Sequence, residues 1–282
     1  MQPGKISVGE AVSWVAGGWK IFIASPGTWL LIGLVDLLIS SAIQFVPFIG
    51  MLLAFMVAPI FTAGLLYAAR EIEAGREIRL DYLFQGFREP GRMGPLLGLG
   101  GIYIGSMVAI VVVCVLVLVL TGATADLGRD AAGAAGLLDS QALYILLVVL
   151  IAIALFLPVL MALYYAIPLV MFHRSPIWAA LGSSLTACLR NFLPLLVFGL
   201  VLLVPLLVLA LILGAIVGLF LALFTATASS AVAGGVLAVV LGMLLMFLVS
   251  IPLVTILTGM NFCSYRSVYK DYPEDRGTGM AV

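Results

Sequence analysis

Long apolar stretches alternate with short polar segments along the whole chain. An α-helix needs about 20 predominantly apolar residues to cross the roughly 30 Å of hydrocarbon in a bilayer. Six stretches meet that length, at about 28–47, 49–69, 95–121, 143–171, 193–224 and 231–262. The pattern therefore predicts an all-α, polytopic integral membrane protein with six transmembrane helices.

The fourth and fifth stretches are longer than one crossing requires. Prolines lie inside both, at Pro158 and Pro168 in the fourth and at Pro205 in the fifth. Because a proline removes one helical hydrogen bond, we expect these helices to tilt or to bend near the prolines.

A short amphipathic segment precedes the first, third and fifth stretches. These segments begin at Ser7, Leu80 and Ser175, and each leads through a proline-containing elbow into its span. They are too short and too polar to cross a bilayer, so we expect three interfacial amphipathic helices. Three tryptophans are expected near headgroup depth: Trp14, Trp19 and Trp178.

This arrangement forms a weak internal repeat. Each repeat holds an interfacial helix, an elbow and two spans, and the repeats cover about 7–75, 78–174 and 175–272. Because every repeat contains two spans, all three have the same orientation, unlike the inverted repeats of many secondary transporters. The sequence therefore predicts a single membrane domain, 1–282, built from three two-span units.

The composition supports the membrane assignment. The chain has 282 residues, of which 64% are apolar and 9% are charged, whereas soluble domains average about 25% charged residues. The formal net charge is zero, so nothing favours nucleic acid as a partner. One histidine and three widely separated cysteines argue against a metal site, a haem or a disulfide framework, and we expect no cofactor.

The basic residues indicate the orientation. Of the 13 Lys and Arg residues, all but one lie before the first span, between the second and third, between the fourth and fifth, or after the sixth. Arg129 alone lies on the other side. The positive-inside rule then places both termini in the cytoplasm.

One carboxylate, Asp36, lies inside the first span. Asp36, Ser40 and Gln44 recur every four residues and therefore share one helical face. No Lys or Arg lies within a predicted span, and hydrocarbon favours the neutral form of an unpaired carboxyl group. We therefore expect Asp36 to donate a hydrogen bond to a neighbouring helix. Its candidate partners are Tyr103, Ser106, Ser250, Thr255, Thr258 and carbonyls freed by prolines.

Three interpretations of this polar site, formed by Asp36, Ser40, Gln44 and Tyr103, remain open. The first is a structural hydrogen bond between helices. The second is a transport site linked to protonation. The third is a water-accessible site near the cytoplasmic mouth.

A second candidate site lies at the end of the fourth span, where Tyr164, Tyr165, His173 and Arg174 occur together. One interpretation is a contact for an anionic headgroup or substrate, made by Arg174 with His173. The other is an interfacial anchor of the kind common at span ends.

The segment after the sixth span is aromatic and basic. It contains Tyr265, Arg266, Tyr269 and Lys270. We expect a short helical extension whose aromatic face lies against headgroups.

Two further patterns concern helix packing and catalysis. G-x-x-x-G occurs at Gly101 to Gly105 and at Gly214 to Gly218, and it is typical of close helix contacts in membranes. No serine-hydrolase elbow, zinc-protease motif, P-loop or dinucleotide fingerprint occurs. We therefore expect that the protein is not an enzyme.

Several segments together resemble a known family. They are "GWKIFIASPGTW", "PIFTAGLLYAAREIEAG", "LFQGFREPG" and "YYAIPLVMFHRSPIWAALGSSLTACLRNFLP". Over about 8–270 the chain resembles a family of uncharacterised multi-pass inner-membrane proteins of proteobacteria. The resemblance implies a location in the bacterial inner membrane and a multi-pass topology. It implies no activity, substrate or catalytic residue.

The sequence leaves two functional hypotheses open. The first is permease-like transport or handling of a small or amphiphilic molecule, because prolines such as Pro59 and Pro252 free carbonyls that tend to line cavities. The second is a non-catalytic membrane scaffold or assembly partner, because no strong site and no large loop occurs. The bilayer is the expected partner, and a homo-oligomer or a membrane-protein partner remains open.

Overall fold

The computed structural model describes residues 3–47, 49–120, 140–227 and 231–270. Within these ranges the α-helices are α1 Val8–Ala24, α2 Pro26–Gln44, α3 Gly50–Glu73, α4 Gln85–Arg88, α5 Met93–Leu120, α6 Ser140–Tyr164, α7 Ala166–His173, α8 Ile177–Arg190, α9 Phe192–Thr227 and α10 Ala231–Val268. A short 3₁₀ helix, Leu80–Phe84, precedes α4. The described residues contain no strand, which confirms the all-α prediction for this part of the chain.

Six helical segments are long and apolar enough to cross a bilayer, as predicted. They are α2, α3, α5, α6 together with α7, α9 and α10. The fourth span is interrupted at Tyr165, three residues before Pro168, whereas α6 and α9 continue as helices through Pro158 and Pro205. Of the three prolines in the fourth and fifth spans at which a bend was expected, only Pro168 therefore lies beside a break in the helix.

A shorter helical segment precedes each of the spans α2, α5 and α9. At the first elbow, Pro26 begins α2, and Trp29 Nε1 donates to the carbonyl oxygen of Ile21 at 2.9 Å. At the third, Asn191 alone separates α8 from α9. The segment before α5 consists of the 3₁₀ turn and the four-residue α4 in place of one continuous helix. The grouping into three equivalent interfacial units stays a prediction.

The three tryptophans expected at headgroup depth have different surroundings. Trp19 and Trp178 are exposed on the surface of the bundle. Trp14 is buried, and its ring packs edge to face on Phe198 of α9 with centroids 5.1 Å apart. Trp14 faces the protein interior because α1 packs lengthwise against α9 and α10, and the depth of Trp14 in the bilayer stays a prediction.

The spans form an arc that is open on one side. Neighbouring spans pack in the order α9, α10, α2, α3, α5 and α6. α8 packs against α6, but any contacts between α6 and α9 along their described lengths are few. A groove therefore separates α6 from α9 and opens to the side, where lipid surrounds the bundle.

The polar segments meet at one end of the bundle, called the polar end below. The N–H of Gly4 donates to the carbonyl of Val268 at 2.8 Å, and Asn191 Nδ2 donates to the carbonyl of Gly4 at 2.9 Å. Arg266 and Glu73 form an ion pair at 2.5 Å. The N-terminal segment, the end of α3, the start of α9 and the end of α10 thus lie together. Two spans separate each of these segments from the next, which requires all four to lie on the same side of the membrane. That this end faces the cytoplasm stays a prediction.

Burial divides the bundle into two halves. The polar half comprises 3–33, 57–105, 158–200 and 251–270, and the far half comprises the other described residues. Among the buried apolar residues described, only Leu213 and Ala238 belong to the far half. The far half instead directs apolar side chains outward along α5, α6, α9 and α10, which is favourable where the neighbour is lipid.

Glycines allow close contacts between elements of the polar half. Gly18 of α1 lies against Gly259 of α10. A Cβ added to Gly64 of α3 would overlap the carbonyl oxygen of Leu83. At four glycines a Cβ would meet nothing within 4 Å: Gly101, Gly105, Gly214 and Gly218. The G-x-x-x-G patterns therefore do not mark close helix contacts within this chain, and that expectation is wrong.

Candidate functional site

A break in the fourth span organises the region where α6, α7 and α8 meet. The N–H of Tyr165 donates to Ser184 Oγ of α8 at 2.9 Å. Ser184 Oγ in turn donates to the carbonyl of Met161 at 2.7 Å, and Cys188 Sγ donates to the same carbonyl at 3.4 Å. One serine side chain is thus inserted into the i to i−4 hydrogen-bond ladder of the helix. Such an insertion interrupts a helix without leaving its polar groups unpaired.

A cluster of buried aromatic side chains lies beside this break. Three hydrogen bonds hold it together: Tyr165 Oη with Ser264 Oγ at 2.5 Å, Tyr265 Oη with His173 Nδ1 at 2.5 Å, and Tyr269 Oη with Ser183 Oγ at 3.1 Å. The ring of Tyr269 lies 5.7 Å from that of Tyr165 and 5.5 Å from that of Tyr265. The cluster therefore connects α7 and α8 to the polar end of α10.

The residues of the second predicted site have separate environments. Tyr165 is fully buried with its hydroxyl engaged, so it cannot contact a headgroup. His173 belongs to the aromatic cluster. Arg174 is exposed, has a left-handed backbone with φ 54°, and places a guanidinium nitrogen 3.6 Å from Glu89. Of the four, only Tyr164 lines the groove between α6 and α9.

The aromatic residues after the sixth span also point inward. Tyr265 is fully buried and Tyr269 is nearly so, and the expectation that they lie against headgroups is wrong. Burial raises the pKa of Tyr269 to about 12, so its hydroxyl stays protonated at neutral pH. Protonated hydroxyls among apolar neighbours stabilise helix contacts by hydrogen bonding, and this is what the cluster does between α8 and α10.

The groove between α6 and α9 is a cavity of about 440 Å³ with α8 at its polar end. Leu157 and Leu160 of α6 face Leu195, Gly199 and Leu203 of α9 across it. Its lining is almost wholly apolar. The groove has the composition expected of a site for a hydrocarbon chain.

Cys188 contributes the thiol at the polar end of this groove. Burial raises the pKa of Cys188 to about 12. Because the thiolate is the reactive form, this cysteine is not a nucleophile at neutral pH. The groove therefore has the properties of a binding surface.

Asp36 lies on α2 in the far half, and its predicted stripe is only partly connected. Gln44 Nε2 donates to the backbone carbonyl of Ser40 at 3.2 Å, which is a bond within α2. Gln44 also lines a second groove, between α2 and α10. Among the described residues, Asp36 forms no hydrogen bond or ion pair, and it lines neither groove.

The candidate partners of Asp36 are engaged elsewhere. The ring of Tyr103 on α5 packs against Phe55, with centroids 5.4 Å apart. Four hydroxyls donate to carbonyls of their own helices: Ser106, Ser250, Thr255 and Thr258. The described residues thus do not contain the interhelical hydrogen bond expected for Asp36.

Sequence reasoning missed the residues that define the break. Ser183, Ser184 and Ser264 are small hydroxyl residues within helical patterns, and such residues usually bond to their own helix. Their importance comes from partners 19 to 99 positions away in the chain. The available indication was Pro168, which correctly marks the interrupted span.

Comparison with known proteins gives one relative. A curated protein of Burkholderia thailandensis, named a "probable inner membrane protein", is 31% identical to this chain over 210 residues. The similarity covers 71% of this chain and 75% of the relative. No family model matches the chain, and no solved structure matches it.

Proposed function

The chain belongs to the family of the Burkholderia thailandensis inner membrane protein, and from that premise we propose that it binds the hydrocarbon chain of a membrane amphiphile in the groove between α6 and α9. The protein is an integral inner-membrane protein with six apolar spans. The observation that carries the proposal is the groove itself, an apolar cavity of about 440 Å³ that opens toward lipid.

The size of the groove favours an amphiphile over a protein helix. Sites for small molecules usually measure about 300 to 1,000 Å³. A helix is about 10 to 12 Å across with its side chains, so this volume corresponds to only about one turn of helix. A flexible hydrocarbon chain fits such a groove, whereas a spanning helix from a partner would occupy little of it.

The length of the groove indicates binding from one leaflet. Along α9 it extends from Phe192 to Leu203, which is about 16 Å at 1.5 Å per residue. This is about half of the roughly 30 Å hydrocarbon thickness. Because the groove begins at the polar end, near Tyr164 and Cys188, the headgroup of the amphiphile is expected at that end and its chain toward the bilayer centre.

The proposed role is amphiphile handling without covalent chemistry. Cys188 is protonated at neutral pH because burial raises its pKa to about 12, and the lining of the groove is otherwise almost entirely apolar. Binding at a lateral opening suits a permease-like protein that takes its ligand from the membrane. The coupling of transport to Asp36, foreseen from the sequence, receives no support from the position of that residue outside the groove.

A photoreactive phospholipid with a diazirine in its acyl chain tests the proposal. The full-length protein in nanodiscs is expected to carry the label on 157–164 and 192–203. Gly199→Phe should fill the groove, because a Cβ at Gly199 meets nothing within 4 Å and the larger ring projects into the cavity. We expect at least a tenfold loss of label at these two segments.

Gly214→Phe is the matched control. Gly214 lies on the same helix, and a Cβ there also meets nothing within 4 Å, but it is outside the groove. Equal labelling of the two variants at these segments would refute the proposal. Thermal unfolding of both variants checks that neither has lost its fold.

A scaffold remains the alternative function, and one observation favours it. Leu200, Val204, Leu207 and Leu211 form an exposed apolar ridge along α9 with a spacing of three and four residues. This spacing is also typical of helix–helix contacts. If cross-linking through α9 gives protein adducts in membranes while the lipid label is absent, the scaffold is the better assignment.

A further inference from the structure

A second cavity lies at the polar end, on the other side of α1 from the groove. It measures about 530 Å³ and is enclosed by α1, the end of α3 and the end of α10. Unlike the groove, it has a mixed polar and apolar lining. The charged groups in its wall are Glu10, Lys20, Glu73, Arg266 and Lys270.

The donors of this cavity outnumber the acceptors available to them. Lys20 and Lys270 form no ion pair among the described residues, whereas Arg266 is paired with Glu73 at 2.5 Å. Both lysines are exposed at the wall of the cavity, so their ammonium groups are available to a ligand that accepts hydrogen bonds.

The other polar groups of the wall do not correct this imbalance. Ser13 Oγ donates to the carbonyl of Glu10 at 2.6 Å, and Ser267 Oγ donates to the carbonyl of Ser264 at 2.9 Å. Both hydroxyl protons are thus used within their own helices. The wall carries three cationic side chains and two carboxylates, so its charge favours an anion.

We propose that this cavity binds a phosphate group, with Lys20 and Lys270 as its ligands. Phosphate oxygens accept hydrogen bonds, and lysine is a common phosphate ligand that acts as a point charge. The ion pair of Arg266 and Glu73 closes one side of the site. Glu10 disfavours a highly charged anion, so a phosphate diester, which carries a single negative charge, suits the cavity best.

An aromatic pair separates this cavity from the groove. Trp14 lines the phosphate cavity, Phe198 lines the groove, and their rings are in edge-to-face contact. The two sites are therefore adjacent but distinct. The phosphate site does not depend on the amphiphile proposal, and a lipid headgroup and a free phosphate ester are its two sources of ligand.

Calorimetry on the full-length protein in detergent tests the site with inorganic phosphate as the probe. We expect saturable binding that weakens as the salt concentration rises. Lys20→Gln combined with Lys270→Gln should raise the Kd at least tenfold.

A matched control lies outside the cavity. Lys5→Gln removes a lysine from an exposed position of the N-terminal region and should leave the Kd unchanged. Equal weakening by the control variant and the double lysine variant would overturn the proposal, as would an absence of saturable phosphate binding. Thermal unfolding checks that neither variant has lost its fold.

A second arm of the experiment distinguishes a lipid headgroup from a soluble phosphate ester as the source of the ligand. Nanodiscs of a phosphate-free glycolipid are compared with nanodiscs that also contain phosphatidylglycerol, and the inorganic phosphate titration is repeated in each. If phosphatidylglycerol competes with inorganic phosphate, the natural ligand is a lipid headgroup. If it does not, the ligand is a soluble phosphate ester, and either result supports the phosphate site.

Discussion

The polar half and the far half of this bundle are both helical but are stabilised differently. In the polar half, side chains from distant parts of the chain pack on one another, as Trp29, Tyr165 and Tyr265 do without any exposed surface. In the far half, side chains such as Val111 and Leu211 face outward along most of their helices. The bilayer surrounds them.

This difference shows which interactions specify the fold. Lipid tails are as apolar as leucine. The free energy of a side chain that faces hydrocarbon therefore differs little between one arrangement of the helices and another. The polar half therefore determines how the helices are arranged, through close glycine contacts and hydrogen bonds. The far half provides the length that crosses the membrane, and substitutions there should be tolerated much better.

The largest expected effect comes from filling a close contact in the polar half. In Gly64→Leu, the added side chain would overlap the carbonyl of Leu83, and backbone cannot move aside as a flexible side chain can. We expect the loss to exceed the 1 to 3 kcal/mol that is typical of overpacking. Size-exclusion chromatography in detergent should show aggregated protein, while Gly214→Leu in the far half stays monodisperse.

The next largest effect is expected on the reactivity of Cys188, a thiol of the polar half. Burial raises the pKa of Cys188 from its usual 9.0 to about 12, so its thiolate fraction near neutral pH falls about a thousandfold. In a variant with Cys114→Ser and Cys263→Ser, alkylation of the folded protein should keep accelerating with pH beyond 9. After denaturation in detergent the rate should be far higher and should level off near pH 9. A folded-state rate that already levels off near pH 9 would contradict the burial of Cys188.

A smaller effect is expected at the inserted serine. Ser184→Ala leaves the buried N–H of Tyr165 without its acceptor, which costs about 1 to 3 kcal/mol, while the carbonyl of Met161 keeps Cys188 Sγ as a donor. Thr186→Ala on the exposed face of α8 is the matched control, since its hydroxyl bonds only within that helix. Thermal unfolding should separate the two variants by several degrees, and identical midpoints would mean that the break does not depend on Ser184.

The smallest effect is expected at Asp36 in the far half. With no partner among the described residues, Asp36→Asn and Asp36→Leu should each change the free energy of unfolding by less than about 0.5 kcal/mol. If Asp36→Leu loses the fold while Asp36→Asn keeps it, the carboxyl group has a structural hydrogen bond after all. Unfolding midpoints of the two variants in the same detergent provide the comparison.

The sequence predicted the spans well because hydropathy and length are local properties. The six spans, the inner membrane and the family resemblance are all confirmed. Pro168 also marked the interrupted span correctly, since a missing N–H acts within its own helix. These features require no knowledge of which helices are neighbours.

The arrangement of the polar half could not be predicted in this way. Tyrosine and tryptophan at a span end are favoured both at headgroups and in buried contacts, so the burial of Trp14 and Tyr269 was not foreseen. Their surroundings depend on α1 packing against α9 and α10, which is a tertiary property. The serine at 184 gave no local indication at all, because its hydrogen bonds join two different helices.

The hydrogen bonds of Asn191 have a consequence for biogenesis. Its side chain accepts from the N–H of Ile6 at 3.0 Å and donates to the carbonyl of Gly4 at 2.9 Å, while Gly4 also donates to Val268. The ribosome makes the beginning of the chain first and these partners about 190 and 260 residues later. The nascent N-terminus therefore waits, undocked, through the insertion of the earlier spans, and the segment synthesised first is among the last to reach its final position.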